Sequence, residues 1–567
     1  MSETLEITTE QINDLPLVLG IVEDMGIRRM IDARIQPHGG WQGISVGTLV
    51  SIWLCHLLME RDHRLVSVRD WVAARTQTVN ALLGITLRDT DLTDDRLAHA
   101  LTMLSDAADQ AAVDHALLTD WMQVYALPTH TVRLDSTSVS VYHDDPAPDG
   151  LLRLGHSKDH RPDLAQFKAM LASLDPLGLP VALQVVPGNQ ADDTLYIPAY
   201  DAAVRTLGRA DVLVVGDSKM GARATRAHIA ANKKSAYLCA YRPAGATATD
   251  EIAGWIEDAL AHPARWQGLR AVDERTGEIT TLAVIDAWER DQQDGDTAWT
   301  ERVLVVRSPQ MQAGLRRTRE TALTRATEQL TLLQRPPGRG RPVYRTRAAL
   351  AQAVTASLTA ARLDGVVRVD LAEETRPDGS PRWTVRAIAV DMAAWQAMVE
   401  RLGWHVYVTN TTADQYTAPA LVDAYRHQVI QERGFARLKT RNLRIRPVYL
   451  SDERRIAGLT WLLCLALRVL TLTEYRLRTA LQQRGETLAG LTPASRTQTT
   501  ARPTTERVLT VFQNITRTAL ALPDSLRAHV TPLTPVQEHV IALLHLPPDL
   551  YARLASPAPQ PLAHLRE

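Results

Sequence analysis

Asp135 lies in the middle of Val132-Arg133-Leu134-Asp135-Ser136-Thr137, a run of strand-forming residues. An acid inside such a strand is locally unfavourable and asks for a reason. Asp217 closes the aliphatic run Val212-Leu213-Val214-Val215-Gly216, which reads as a strand buried on both faces. Ligands of α/β sheets gather at the carboxyl ends of strands, where Asp217 would stand. Two carboxylates brought together repel unless a cation sits between them, and hard oxygen ligands suit Mg2+ or Mn2+. Taken singly, each is equally a loop or capping aspartate; the pair points to chemistry in an assumed topology that sets the first strand beside the one ending at Asp217.

A third acid is helical. Tyr425, Gln428, Glu432 and Lys439 are spaced three, four and seven residues apart. At about 100° per residue they share one narrow face of a continuous helix. That face would present Glu432 to metal and Lys439 to phosphate. Around the single acid Glu432, residues 426–446 carry Arg426, Arg433, Arg437, Arg441, Arg444 and Arg446, a composition that suits an acid working beside a phosphate backbone. A solvated mixed-charge helix is the plainer reading.

Two further segments are polar in a directed way. Ser157-Lys158-Asp159-His160-Arg161-Pro162-Asp163 precedes a predicted strand and suits a DNA-facing loop, with a structural turn built on Arg–Asp pairing as the alternative. Arg339-Gly340-Arg341-Pro342 has the form of a minor-groove arm, or of a flexible linker.

The elements that must position these residues follow from periodicity. Residues 1–128 read as an all-helical N-terminal domain, with helices over 15–25, 27–35 and 46–59, one after Thr93, and one over 107–125. It reads either as a DNA-binding helix-turn-helix or as plain helical packing. From 131 the period changes to that of strands. Strands are predicted over 131–142, 166–174, 179–186, 212–215 and 236–241, with a turn at Asp175-Pro176-Leu177-Gly178 and helices over 192–207 and 223–232. The order β-β-β-α-β-α-β is that of an α/β, ribonuclease-H-like core. Residues 129–244 form its first part and 403–490 its second, with a strand at 405–409 and a helix at 419–438. Between them, 245–402 reads as an inserted α+β domain, and 491–567 as a linker and short helical tail.

Composition adds limits. With 63 basic and 64 acidic residues in 567, no global basic surface advertises a polyanion partner, so DNA binding must rest on local patches. The three cysteines form no CxxC pair and predict reduced, buried thiols and no zinc finger. The apolar stretches 46–59 and 457–472 contain His56 and Arg468 and read as core helices rather than membrane spans. Among the basic residues only Lys158, Lys168, Lys219, Lys233, Lys234 and Lys439 are lysines, and three of these fall inside the motifs above.

The motifs Leu134-Asp135-Ser136-Thr137, 155–164, Pro187-Gly188-Asn189, Gly216-Asp217-Ser218, Val408-Thr409-Asn410-Thr411 and 425–439 together resemble those of bacterial insertion-sequence transposases of the IS4 superfamily, most closely its IS1634-like group, across most of residues 10–520. The resemblance implies a DDE transposase whose acids Asp135, Asp217 and Glu432 bind two divalent ions, Mg2+ or Mn2+, for in-line displacement at phosphorus. Tyr425, Glu432 and Lys439 match the family helix pattern of Tyr, Arg, Glu and Lys; the Arg position is Gln428. Lys158, Arg161, Tyr425, Gln428, Arg433 and Lys439 are then expected on DNA. The partners implied are double-stranded terminal inverted repeats and target DNA, with a homodimer pairing two ends, a cytoplasmic nucleoid-associated location and no membrane. A ribonuclease-H-like nuclease without strand transfer, and a non-catalytic DNA-binding descendant, are the competing readings; all three acids being present disfavours the second.

Overall fold

A computed structural model describes residues 6–562 apart from 38, 143–148, 243–245, 273–278, 336–342, 377–378, 492–496, 523–524 and 557–560. Residues 336–342, with the expected Arg339–Pro342 arm, therefore lie outside the described residues. The chain divides into two compact units: one of Met1–Leu238, Gln293–Ala298 and Tyr425–Glu567, the other of Cys239–Gln292 and Trp299–Ala424.

The first unit opens on a strand, β1 (Glu6–Gln11), and then helices α1 (Leu15–Asp24), α2 (Ile27–Asp32), α3 (Val46–Glu60), α4 (Leu65–Ala73), α5 (Thr76–Leu83), α6 (Asp94–Met103) and α7 (Ala107–Tyr125). Local chemistry starts several of them. Ser45 accepts the amide of Thr48 to cap α3, and Asp106 accepts those of Ala108 and Asp109 to cap α7. The strand corrects the all-helical expectation for this end.

The chain then lays down β2 (Thr131–Ser140), β3 (Gln166–Leu174), β4 (Leu179–Pro187), β5 (Leu213–Gly216) and β6 (Ala236–Ala240), with α8 (Tyr196–Leu207) before β5 and α9 (Arg223–Ala231) after it. In the sheet their order is β4-β3-β2-β5-β6. β2 is antiparallel to β3 and β3 to β4, whereas β2 runs parallel to β5. β3 is buried along its whole length, as a central strand covered on both faces must be.

In the second unit, α10 (Ala246–Ala261) leads to β7 (Gln267–Val272), β8 (Ile279–Asp294) and β9 (Thr297–Arg307). Then come α11 (Pro309–Leu332), α12 (Arg347–Ala361), the hairpin β10 (Val367–Thr375) and β11 (Pro381–Val390), α13 (Met392–Glu400) and β12 (Trp404–Thr409). Strands β12-β9-β8-β7 lie side by side, and α11 and α12 share a core with the hairpin through Leu330, Leu350, Leu363 and Trp395.

Next come α14 (Ala418–Arg426) and α15 (Val429–Ala436), the latter running into a π-helical turn at Arg437–Arg441. The single helix expected over 419–438 is thus broken at 427–428. α16 (Glu453–Arg484) is the central helix of the first unit. By length and composition it could cross a membrane, but 94% of its apolar window is buried inside the structure. Against it lies α7, joined by Arg468 and Asp114, a fully buried ion pair in which Arg468 Nη2 stands 2.7 Å from Asp114 Oδ2. The C-terminal region holds β13 (Leu488–Ala489), β14 (Thr499–Thr500), α17 (Thr505–Val511), β15 (Thr516–Leu522), β16 (Ser525–Val530) and α18 (Pro535–Leu543). β15 pairs antiparallel with both β1 and β16, so the expected helical tail also carries a sheet that collects the first strand of the chain.

Candidate active site

The parallel register of β2 and β5 places Leu134 opposite Gly216. One step further along both strands come Asp135 and Asp217. Residues at the same step of neighbouring parallel strands point to the same face about 4.8 Å apart at the backbone, so the two carboxylates stand side by side. Both line a cavity of about 20 Å³ with Arg133, Gly216, Tyr425, Gln428 and Gln431. That is room for one water-sized occupant. Burial pushes the Asp135 carboxyl up; the Lys158 ammonium pulls it down and the neighbouring Asp217 charge pushes it up again.

Each carboxylate is held in place. Asp217 Oδ1 accepts the Tyr196 hydroxyl at 2.6 Å and the Lys219 amide at 2.7 Å. Asp135 Oδ1 accepts the amide of Ser136 at 2.7 Å and lies 3.3 Å from Lys158 Nζ. Lys158 Nζ also donates to the Ser136 carbonyl at 2.7 Å and hydroxyl at 2.9 Å, and lies 3.8 Å from Asp192 Oδ2. Asp192 in turn accepts the buried Lys168 at 2.6 Å. Burial acts to raise the Asp192 carboxyl, but the Lys168 hydrogen bond and the charges of Lys158, Lys168 and Lys219 hold it below the usual carboxylate range. The result is a row of alternating charge: Lys168, Asp192, Lys158, Asp135. Asp135 is thus paired with an ammonium of the same chain.

The loop that carries Lys158 is anchored by two glycines. A Cβ on Gly155 would meet the Gly188 carbonyl at 2.5 Å, and one on Gly188 would meet the Gln166 carbonyl at 2.0 Å. Neither position tolerates a side chain, which gives the motifs around 155 and 187–189 a packing reason. The Gln166 amide clamps both segments by donating to the carbonyls of His156 and Gly188 at 2.9 and 3.1 Å.

The helical residues divide differently from their expected shared face. Tyr425 and Gln428 line the cavity. Glu432, one turn beyond Gln428, is exposed. Among the described residues no group of three or more His, Cys, Asp and Glu side chains is gathered tightly enough to hold a metal ion. Lys439 is buried, donating to Thr137 Oγ1 at 3.0 Å and Asp159 Oδ1 at 2.5 Å. Burial lowers its ammonium's affinity for the proton, and Asp159 opposes that. Arg433 bonds to Glu474 at 2.7 Å, and Arg161, half-buried, pairs with Asp163 at 2.7 Å. Asp159 lies inside the polar 157–163 segment, but its pairing with Lys439, like the parts of Asp192 and Tyr196, has no signal in local spacing, because each partner comes from elsewhere in the fold.

A family model described as a transposase DDE domain matches residues 129–469, well over half of the chain. The chain belongs to the DDE transposase family. It is a DNA transposase, a polynucleotidyl transferase and endonuclease by class. A second family model, a domain of unknown function (DUF4277), matches residues 7–115 of the transposase. No curated protein matches it. Among solved structures, the transposase is similar to the cryo-EM structure of the piggyBac transposase synaptic complex with hairpin DNA, with 7% identity, a TM-score of 0.32, and coverage of 83% of this chain and 76% of that one.

Proposed function

We propose that this transposase mobilises an insertion sequence of the IS4 superfamily, IS1634-like group, cutting the element's ends and joining them to target DNA through Asp135, Asp217 and Glu432 on a ribonuclease-H-like core. The observation that carries this reading is the β2–β5 register, which sets Asp135 beside Asp217 over an ion-sized cavity. Glu432 follows Gln428, which lines that cavity, by one helical turn. The donor set is all carboxylate oxygen and suits Mg2+ or Mn2+.

Two such ions, when bound, would supply Lewis acidity to the scissile phosphate and a hydroxide-like nucleophile. The protein's own groups do the positioning. Tyr196 and the Lys219 amide both hold the Oδ1 oxygen of Asp217 and so fix its carboxylate at the cavity. The Tyr425 hydroxyl and Gln428 amide are donors at the cavity wall and serve to orient a phosphodiester. Lys158, Arg161, Arg433 and Lys439, each paired with an acid in the chain without DNA, exchange those partners for phosphate when DNA binds, and the helical region of 1–128 and the inserted region of 245–402 supply further DNA contacts. The enzyme works as a homodimer on paired ends, in association with the nucleoid.

The test uses pre-cut and uncut element ends with Mg2+ or Mn2+. Asp135→Asn, Asp217→Asn and Glu432→Gln should each lower cleavage and strand transfer by at least about a hundredfold, the scale of losing a principal electrostatic contribution. Mn2+ affinity, read by paramagnetic resonance, should fall while end binding persists. Near-normal strand transfer by any one variant removes that residue from the assignment. Cleavage without transfer by the wild type would favour the nuclease reading.

A further inference from the structure

A second cleft, of about 850 Å³, opens in the first unit between the α3–α4 corner and the segment 444–449 that follows the π-helical turn. Its size is within the range of ligand sites, about 300–1,000 Å³, and far above what one small anion needs. Five arginines line it against two acids, Glu60 and Asp62. Both acids are engaged: Asp62 takes Arg64 through bonds of 2.8–3.0 Å, and Glu60 takes the Trp71 indole at 2.8 Å. Arg61 and Arg444 make no ion pair among the described residues. Positive charge is therefore left over at the cleft wall.

Two buried imidazoles add a second observation. His63 is 4% exposed and is held by the backbone of Arg444 and Pro447, while His56 is 1% exposed and its Nδ1 has no hydrogen-bond partner among the described residues. Buried polar atoms left unpaired in a protein call for an explanation, and a ligand is one. Burial lowers the pKa of His56 to about 4, so its ring is neutral and serves as a hydrogen-bonding edge rather than a charge. Beside the imidazoles stands an exposed ring. Tyr449 is 59% exposed, 5.5 Å from the His63 ring and tilted 33° to it. Arg446, also in the wall, reaches Asp159 at 2.8 Å, the residue that holds Lys439 beside the active site.

We propose that this cleft binds an unpaired nucleotide of the DNA strand passing through the active site, with Arg61 and Arg444 on its phosphates and its base against Tyr449 and His63. Arginine for phosphate, an aromatic face for the base and the His56 nitrogen for the base edge match the three contacts a single-stranded nucleotide offers. Arg446, in the cleft wall, pairs with Asp159 of the loop that carries Lys158 to Asp135, so the cleft adjoins that loop. The inference rests on the DNA-processing reading above.

The experiment uses the full chain, without divalent metal, and two probes: a blunt duplex and the same duplex with a short unpaired flank carrying 2-aminopurine. The flanked probe should bind about tenfold more tightly, the scale of one stacked base, with a change in 2-aminopurine emission. Tyr449→Ala, which alters an exposed side chain, should abolish the preference and the emission change while blunt-duplex affinity stays. Arg61→Gln with Arg444→Gln should reduce the salt slope on the flanked probe by about 0.7 for each phosphate no longer neutralised. Equal binding of both probes by the wild type, or an unchanged emission response in Tyr449→Ala, overturns the nucleotide site and leaves the transposase reading intact. Failure of the wild type to bind either probe would overturn both.

Discussion

The Lys439 ammonium is bonded to the Asp159 carboxylate at 2.5 Å, and Asp159 also pairs with Arg446 at 2.8 Å. The helix residue expected to meet a DNA phosphate is thus already neutralised by an acid from the loop that delivers Lys158 to Asp135. Adjacent residues of opposite sign, Lys158 and Asp159, each occupy a charge of the active site: one stands where a cation would be attracted, the other where a phosphate would.

Replacing Asp159 separates these effects. Asp159→Asn keeps the shape but frees Lys439 and Arg446, so DNA affinity at low salt should rise roughly five- to tenfold, somewhat less than one full charge-assisted hydrogen bond because solvent screens the contact. Folding stability should fall by about 1–3 kcal/mol because the buried Lys439 loses its counter-charge. Anisotropy titrations at several salt concentrations and urea unfolding read the two effects. Unchanged DNA affinity would show that Asp159 does not compete with phosphate.

Asp14, at the start of α1, gives a pH signature. Burial raises its carboxyl from 3.8 to about 7. A folded-state value above the unfolded one means that the native protein binds this proton more tightly. The corresponding stability is present below about pH 4 and is lost as pH rises through about 7, with an upper bound on the order of 4 kcal/mol. Asp14→Asn should remove that slope and raise stability at about pH 8. Parallel pH–stability curves for the wild type and the variant would be incompatible with this account.

The buried pair of Asp114 and Arg468 gives a core test. Arg468 is fully buried and its guanidinium also donates to the Pro180 carbonyl at 2.9 Å. Asp114→Ala leaves that charge unpaired and should cost about 3–5 kcal/mol, whereas Asp114→Leu combined with Arg468→Met should recover most of the loss. Denaturation midpoints distinguish the cases; equal losses for the single and double variants would assign the effect to packing alone.

Much of the frame is legible in the residues themselves. The alternation around Asp135, the aliphatic run before Asp217 and the Asp175-Pro176-Leu177-Gly178 turn mark β2, β5 and the β3–β4 hairpin, because a strand's side chains face its two sides with a period of two and turns need particular residues. Ser45 and the acids after Thr93 mark helix starts for equally local reasons. The meeting of Asp135 and Asp217 is legible only on an assumed ribonuclease-H-like strand order; the pairing of β2 with β5 itself is a property of the folded sheet.

What needed the tertiary structure was everything set by partners distant in sequence. β1 became a strand because β15, some five hundred residues away, supplies its hydrogen bonds. The break at 427–428 and the π-helical turn at Arg437–Arg441 rotate Tyr425, Glu432 and Lys439 off their common face, so a spacing that predicts one stripe yields one cavity residue, one exposed acid and one buried lysine. Lys439 meets Asp159, Lys158 meets Asp135 and Arg433 meets Glu474 only after the sheet and α16 are assembled. Periodicity is a property of neighbouring residues along the chain, and it determined the elements; the pairing of charges is a property of positions in space, and only the packed fold decided which of these side chains remain available to metal and DNA.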